Sequence, residues 1–295
     1  MPLARYTTMQ VGGPAQYLAE AASGAVVMRL VEWAAEEGVP WMILGQGSNV
    51  LFPDGGYNGL VVVYRSSGLE RRWRERPTSG GAVMVEAEAS APLASLARWA
   101  CRRGLSGLEW AAGLPGTVGG AVAGNAGAFG GAMEDVVSSA VVGWAGQPAQ
   151  RTLPAELGLA YRRCLLLEER GPAAVLSVEL QLQADDPGRC LARLDETERG
   201  RRLTQPAGAS SGCVFRNPPQ RAAGYLLDQC GLKGASVGGA VISERHANFI
   251  LNRGGATATD VLALMRLARR AVWEQFGILL EPEVRLMGDA TLEAA

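Results

Sequence analysis

Hydrophobic and polar positions along the chain follow two periods, and the changes between them outline the elements. Val26, Leu30, Trp33 and Ala34 recur at helical spacing, and Gly38 with Pro40 ends the run, which predicts a helix over 25–38 with that face inward. WMIL at 41–44 and LVVVY at 60–64 are short uninterrupted apolar runs, the pattern of buried strands, with a Pro/Gly-rich turn at 53–59 before the second. VMVEAEA at 83–89 alternates with period two and predicts a strand. A helix is predicted from Pro92, favoured in a first turn, to Gly104, favoured at a stop. Residues 105–131 hold neither period and read as a long Gly-rich loop, and strands are predicted at 136–144 and 173–183.

The Asp185-Asp186-Pro187-Gly188 cluster marks a boundary. Beyond it a charged helix is predicted over 188–203, a second helix over 221–230 and a strand at NFILN, 248–252. Thr257 and Asp260 have capping-box spacing for a helix that ends near Gly277, with Val261, Leu264, Ala268 and Val272 inward. ILLEPEVRLM predicts a last strand over 278–287, and the tail DATLEAA is expected to fray. Strands and helices mix without strict alternation, which makes the fold class α+β.

Composition narrows the partners. The 295 residues are 48% hydrophobic and 19% charged, a globular balance at a length that suggests about two domains. Twenty-eight basic against 29 acidic residues leave a formal net charge of -1, with no global pull toward nucleic acid or an anionic membrane. Lys233 is the single lysine and His246 the single histidine, so the positive charge is almost all arginine, suited to planar bidentate recognition of carboxylate or phosphate. Five cysteines, at 101, 164, 190, 213 and 230, form no CxxC pair, so neither a disulfide framework nor a metal site is expected. With no signal pattern at the N-terminus and no apolar run long enough to span a bilayer, the expected location is the cytoplasm.

Two glycine-rich segments carry the candidate chemistry. Gly45-Gln46-Gly47-Ser48-Asn49-Val50 follows a strand but departs from the dinucleotide fingerprint: Val50 stands at the third glycine, and no helix pattern follows. Taken alone it is either a plain turn or a turn whose backbone N–H groups face a phosphate. Gly113–Gly131 holds eight glycines in nineteen residues, mixed with Leu114, Val118, Val122 and Phe129. A flexible linker would be polar; this segment is expected to pack, and its bare backbone to approach an anionic ligand.

The ordered set TTMQVGGPA, GQGSNVLF (45–52), GLSGLEWAAGLPGTVGGAVAGNAGAFG (104–130), YRR (161–163), GCVFRNPP (212–219), HANFILN (246–252) and LEPEVRLMG (280–288) resembles the UDP-N-acetylenolpyruvoylglucosamine reductase family, over almost the whole chain. The resemblance implies the FAD-binding fold of the vanillyl-alcohol oxidase type, with an FAD domain at 1–185 (subdomains about 1–66 and 67–185), a substrate domain at 186–280 and a returning strand and tail at 281–295. It implies non-covalent FAD, NADPH as co-substrate and a UDP-sugar substrate whose enolpyruvyl double bond is reduced in peptidoglycan precursor synthesis. No insertion bearing a substrate-clamping tyrosine is evident between 162 and 212, so the chain is similar to the shorter type of the family. No nucleic-acid or membrane partner is expected, and a monomer is favoured.

Carried onto this sequence, the resemblance places FAD against Gly45, Gln46, Gly47, Ser48, Asn49, Leu51, Pro115, Gly116, Gly119, Gly120, Ala123, Asn125, Gly127 and Arg285. It places substrate against Tyr161, Arg216, Asn217 and His246, and catalysis on Arg162, Cys213 and Glu283. Without it, Arg162 reads as a surface charge and Glu283 as part of a solvated strand face with Glu281 and Arg285. Cys213 is a departure, since the family's proton donor there is serine; a thiol with a reference pKa of about 8.5 is a competent acid at neutral pH. The alternatives at that point are a structural Cys213 with Ser210 or Ser211 as donor. Cys164 reads as a packing residue or a minor polar contact. Two other functions stay open to the sequence: another flavin oxidoreductase of the same fold, or a non-catalytic UDP-sugar or flavin-binding module.

Overall fold

The computed structural model describes residues 1–66, 73–77 and 82–292. Contacts gather the chain into two compact units, one of Leu18–Gly45 and Gly59–Arg201, the other of Met1–Tyr17, Gln46–Asn58 and Arg202–Ala295. This grouping differs from the linear order expected, with breaks near 66, 185 and 280. Its cause is visible in the cores: Met9, Val11 and Leu51 pack with Val214, Phe215 and Leu280, whereas Cys190 and Leu194 pack with residues before them. The first of the expected breaks adjoins residues outside those described.

The larger unit is built on an antiparallel sheet in the order Gln150–Thr152, Val137–Gly143, Ala174–Ala184, Ala82–Glu88, Trp73–Pro77, with Leu105–Ser106 also paired to Ala174–Ala184. The alternation read in 83–89 is real, for Val85 and Ala87 are buried while Glu86 is exposed. A second sheet orders Ala15–Ala21, Tyr57–Tyr64 and Trp41–Leu44, the last two parallel. The central strand carries the uninterrupted run Leu60–Val63, every residue at most 2% exposed, as expected of a strand covered on both faces.

The helix Gly24–Glu36 is capped by Ser23, which accepts from the Val26 N–H. Its buried stripe is Val27, Val31 and Ala34, and Trp33 is 38% exposed, so the expected face of Val26, Leu30 and Trp33 is displaced around the axis. Apolar residues occupy most of this helix; periodicity then leaves its phase undetermined and tertiary packing fixes it. The expected loop 105–131 is also corrected. It contains a 3-10 turn Glu109–Ala111, a helix Val118–Ala123 and a hairpin of Gly127–Ala128 with Gly131–Ala132. Two glycines within VGGAVA argue against a helix by propensity, and hydrogen bonds from the rest of the fold override that.

The charged helix Pro187–Thr204 is real and buries only Cys190, Leu194 and Arg201. In the smaller unit the helix Ala258–Phe276 buries Val261, Leu264, Ala268 and Val272, each at most 1% exposed, on the face read from the sequence. Its capping box is present: the Asp260 N–H donates to Thr257 Oγ1 at 3.1 Å and the Thr257 N–H to Asp260 Oδ2 at 2.9 Å. NFILN contributes Ile250–Asn252 to a sheet with Ser236–Val237 and Ala240–Ile242. The strand expected over 278–287 shrinks to Arg285–Leu286, parallel to Val50–Leu51, plus a single bridge from Pro282 to Phe215. Pro282 has no N–H to continue a ladder, which accounts for the interruption. Of the expected frayed tail, residues 293–295 lie outside those described.

A second cap reinforces the long helix. Asp54 receives the Ala258 N–H at 2.7 Å, the Thr259 N–H at 2.9 Å and the Thr259 hydroxyl at 2.7 Å. Burial pushes this carboxyl up, but those donors outweigh it and hold its pKa below the ordinary 3.8. A lowered pKa stabilises the fold above the unfolded-state value, and the contribution disappears as pH falls below it. Asp54→Ala is therefore expected to lower stability by about 1 kcal/mol at pH 7, a usual loss for a cap. In urea titrations the gap between variant and wild type should close below pH 3.8; an equal gap at every pH would contradict this.

Candidate active site

Gly45 and Gly47 are glycines because the protein's own atoms leave no room. A Cβ on Gly45 would lie 2.4 Å from Thr117 Oγ1, and one on Gly47, whose φ is 62°, would lie 2.1 Å from the Tyr6 carbonyl oxygen. Beyond them the backbone opens. Among the described residues, the N–H groups of Gly47, Ser48 and Asn49 donate to no protein acceptor, although Gly47 is buried. Three consecutive free amides in a turn suit an anion such as a diphosphate. The turn is tied to the end of the chain: Asn49 Nδ2 donates to the Glu283 carbonyl at 3.2 Å, and the Arg285 N–H to the Asn49 carbonyl at 3.1 Å. Leu51 is 1% exposed, packed in the core with its backbone paired beside Leu286.

The second glycine segment behaves differently. The N–H groups of Val118 and Gly119 donate to the Ala91 and Ala89 carbonyls, both at 2.9 Å, and Gly120 donates to Thr117 Oγ1 at 3.3 Å. The Val118, Gly119 and Gly120 amides at the start of the Val118–Ala123 helix thus already have internal acceptors. Gly119 is demanded by packing, since its Cβ would stand 2.6 Å from that of Ala89. Gly127 faces Ala132 in the hairpin. Crowding is milder at Gly120, where an added Cβ would stand 3.3 Å from Thr117 Oγ1, a tight contact, and at Gly124, where the nearest atom is at an ordinary 3.7 Å. They expose bare backbone, with Pro115 and Gly120 exposed and Gly116 and Ala123 half-buried. The segment therefore suits van der Waals contact with a flat ligand.

Asn125, 1% exposed, donates through Nδ2 to the Ala160 carbonyl at 2.9 Å and accepts the Glu134 N–H at 3.0 Å. Ala160 leads into the turn Tyr161–Arg162, which joins Leu159–Ala160 to Arg163–Cys164. Arg162 has φ 57°, left-handed backbone that a non-glycine residue rarely adopts. Its Nη2 donates to the Gly127 carbonyl at 2.6 Å, and its guanidinium lies 5.2 Å from the Tyr161 ring centroid. Cys164 is fully buried with its thiol donating to the Leu157 carbonyl at 3.3 Å, the packing role expected of it.

In the smaller unit Cys213 and Glu283 lie on adjoining backbone. Cys213 bridges Phe249; the next residue, Val214, accepts the Glu283 N–H at 2.8 Å. Both side chains are half-buried, so the bland reading of Glu283 as a freely solvated face does not describe it. Ser211 is 2% exposed and its hydroxyl has no hydrogen-bond partner among the described residues. Arg216 stands 3.5 Å from Glu281, and Asn217 Oδ1 accepts the Ala223 N–H at 2.9 Å at the start of the helix Ala223–Gln229. His246 Nδ1 accepts the Asn248 N–H at 3.2 Å, which places its proton on Nε2, and its ring meets Phe249 edge-on at 5.0 Å. Burial pushes its pKa below 6.5, so it is neutral at pH 7 and suited to donate one hydrogen bond.

Sequence reasoning missed the residues that hold these segments in place. Asn248 is 1% exposed and clamps Phe215 from both sides, accepting its N–H at 3.0 Å and donating to its carbonyl at 2.8 Å. Glu109, 9% exposed, binds Arg193 at 2.7 Å and the Gly107 N–H at 2.7 Å. Burial pushes the Glu109 carboxyl up, but Arg193 and the amides outweigh it and keep it below the ordinary 4.5. Arg201, 8% exposed, donates to the Ala112 carbonyl at 3.0 Å and stands 5.3 Å from the Phe129 ring centroid, bracing the glycine segment from the charged helix. The available signal was charge on the sparse apolar stripe of that helix.

The free amides of the Gly47–Asn49 turn and the bare glycine backbone of the second segment each suit contact with a dinucleotide, and comparison with known families specifies which. Residues 15–145 match the model of an FAD-binding domain, and residues 204–287 match the C-terminal domain of UDP-N-acetylenolpyruvoylglucosamine reductase. The reductase of that name from Chloroflexus aggregans is 41% identical, over 97% of this chain and 96% of its own. That of Synechococcus sp. (strain JA-3-3Ab) is 44% identical over 98% and 90%. The crystal structure of the Thermus caldophilus enzyme superposes with a TM-score of 0.79 at 37% identity, covering 98% of both chains. The protein is thus an FAD-dependent oxidoreductase of α+β architecture. Within that class it belongs to the UDP-N-acetylenolpyruvoylglucosamine reductase family.

Proposed function

We propose that the chain reduces the enolpyruvyl double bond of UDP-N-acetylglucosamine enolpyruvate, giving UDP-N-acetylmuramate, with NADPH as the source of hydride. The observation that carries this is the match to one reductase family over 97% of the chain, with a candidate guanidinium, thiol and carboxyl at its motif positions. FAD, when bound, would supply the hydride-transfer chemistry between NADPH and the substrate's enolpyruvyl double bond. The Gly47–Asn49 amides would hold its diphosphate, and the Gly116–Ala123 backbone would lie against it.

The chain's own side chains supply charge and a proton. Arg162 presents a permanent positive charge to the substrate carboxylate, where negative charge grows as the double bond takes up hydride. Glu283 acts on the same carboxylate from the remote end of the chain. The Cys213 thiol transfers its proton to the carbon next to that carboxylate, completing the new C–H bond, and the resulting thiolate regains a proton from water. Tyr161, Arg216, Asn217 and His246 Nε2 orient the substrate, and Arg285 contacts the flavin. No helix among the described residues is long and apolar enough to cross a membrane, which agrees with the cytoplasmic location we assign.

The decisive test is consumption of NADPH by the holoenzyme. Oxidation that depends on the enolpyruvyl nucleotide is expected. Rapid oxidation of NADPH by oxygen alone, unchanged by that nucleotide, would instead support a flavin oxidase.

A further inference from the structure

Asn125 was expected among the flavin contacts, yet both ends of its amide face the protein's own backbone. Nδ2 donates to the Ala160 carbonyl at 2.9 Å, Oδ1 accepts the Glu134 N–H at 3.0 Å, and the residue is 1% exposed. Its backbone is itself left-handed, with φ 38°, a conformation that asparagine tolerates better than most residues. The residue it grips opens the turn that bears Arg162, and Gly127, two positions beyond it, accepts the Arg162 guanidinium at 2.6 Å. One short stretch of the glycine segment thus fastens the hairpin at its root and the arginine at its tip. Arg162 needs such support, because left-handed backbone at a non-glycine residue persists only where its surroundings impose it.

We propose that Asn125 is a positioning residue for Arg162, setting where the guanidinium points through the Ala160 carbonyl, and is not a flavin contact. The inference rests on the catalytic reading of Arg162 above. It also links two functions within one segment: the glycine-rich backbone that lies beside the cofactor carries the fastener of a side chain that acts on substrate. Displacing the hairpin by a fraction of an ångström would leave flavin binding intact and misdirect the charge.

The test is a double-mutant cycle read on the two half-reactions of the holoenzyme. Asn125→Asp keeps the size, the tolerance of left-handed backbone and the oxygen that receives the Glu134 N–H, and removes the donor to Ala160. Its FAD content and its rate of flavin reduction by NADPH should stay within about twofold of wild type. Its rate of flavin reoxidation by the enolpyruvyl substrate should fall about tenfold to a hundredfold, the scale of a small misplacement. In an Arg162→Ala background the same substitution should have no further effect, since both changes remove one action. Asn125→Gly, which preserves the backbone and removes the whole amide, serves if the aspartate variant does not fold, with the same expectations. Slowing of both half-reactions alike, weakened FAD binding, or effects that add to those of Arg162→Ala would overturn the inference. Should Arg162→Ala alone leave substrate reduction unchanged, the reading of Arg162 fails first, and the inference with it.

Discussion

Cys213→Ala is expected to slow reduction of the enolpyruvyl substrate by about two to four decades, the span of a lost general acid, while leaving flavin reduction by NADPH intact. The split follows from where the thiol would act, since only the second half-reaction needs a proton on carbon. Cys213→Ser should retain substantial activity, because a hydroxyl can fill the role, though it is a weaker acid than the thiol. Ser211 is the informative control. Its hydroxyl is buried and has no hydrogen-bond partner among the described residues, two positions before Cys213. Single-turnover kinetics on both variants decide between them. Full substrate reduction in Cys213→Ala with loss in Ser211→Ala would move the donor role to the serine.

The second large effect concerns stability. Asn248→Ala should destabilise the protein by about 2–6 kcal/mol, because it orphans a buried N–H and a buried carbonyl at once, each costing about 1–3 kcal/mol. Phe215, whose two backbone groups lose their partner, is fully buried, so water cannot replace the amide. The segment that would loosen also carries Cys213 and, through Val214, the link to Glu283. An unfolding free energy from urea titration within about 1 kcal/mol of wild type would show that the clamp matters little, and Asn248→Asp, which retains the acceptor, should fall between the two.

Fold and site were legible in the sequence to different depths. The strands expected at 41–44 and 173–183, found at Trp41–Leu44 and Ala174–Ala184, and the capped helix Ala258–Phe276 are legible in the sequence, because in each the local signal agrees with the tertiary need. The helix Val118–Ala123 was not, since its glycines oppose it and its donors find acceptors in Ala89 and Ala91, remote in sequence. The same holds for the site. Motif order pointed to Arg162, Cys213 and Glu283, but nothing local marks Asn125, Asn248 or Glu109 as fasteners. A buried amide or carboxylate earns that role from partners that only the folded chain brings near. The resemblance treats the glycines as one group, and the structure separates those required by packing, such as Gly45 and Gly119, from those with more room, such as Gly124.

The internal closure of the Val118–Ala123 helix start has a consequence for the life of the cofactor. A scaffold whose amides are already satisfied does not need its prosthetic group to stand. The Gly47, Ser48 and Asn49 amides, which donate to no acceptor among the described residues, lie in one turn where water can serve in the meantime. Stripped of flavin by mild chaotrope and dialysis, the polypeptide should therefore remain folded and regain its yellow colour when FAD is returned, so that synthesis of the chain and supply of the vitamin-derived group need not coincide.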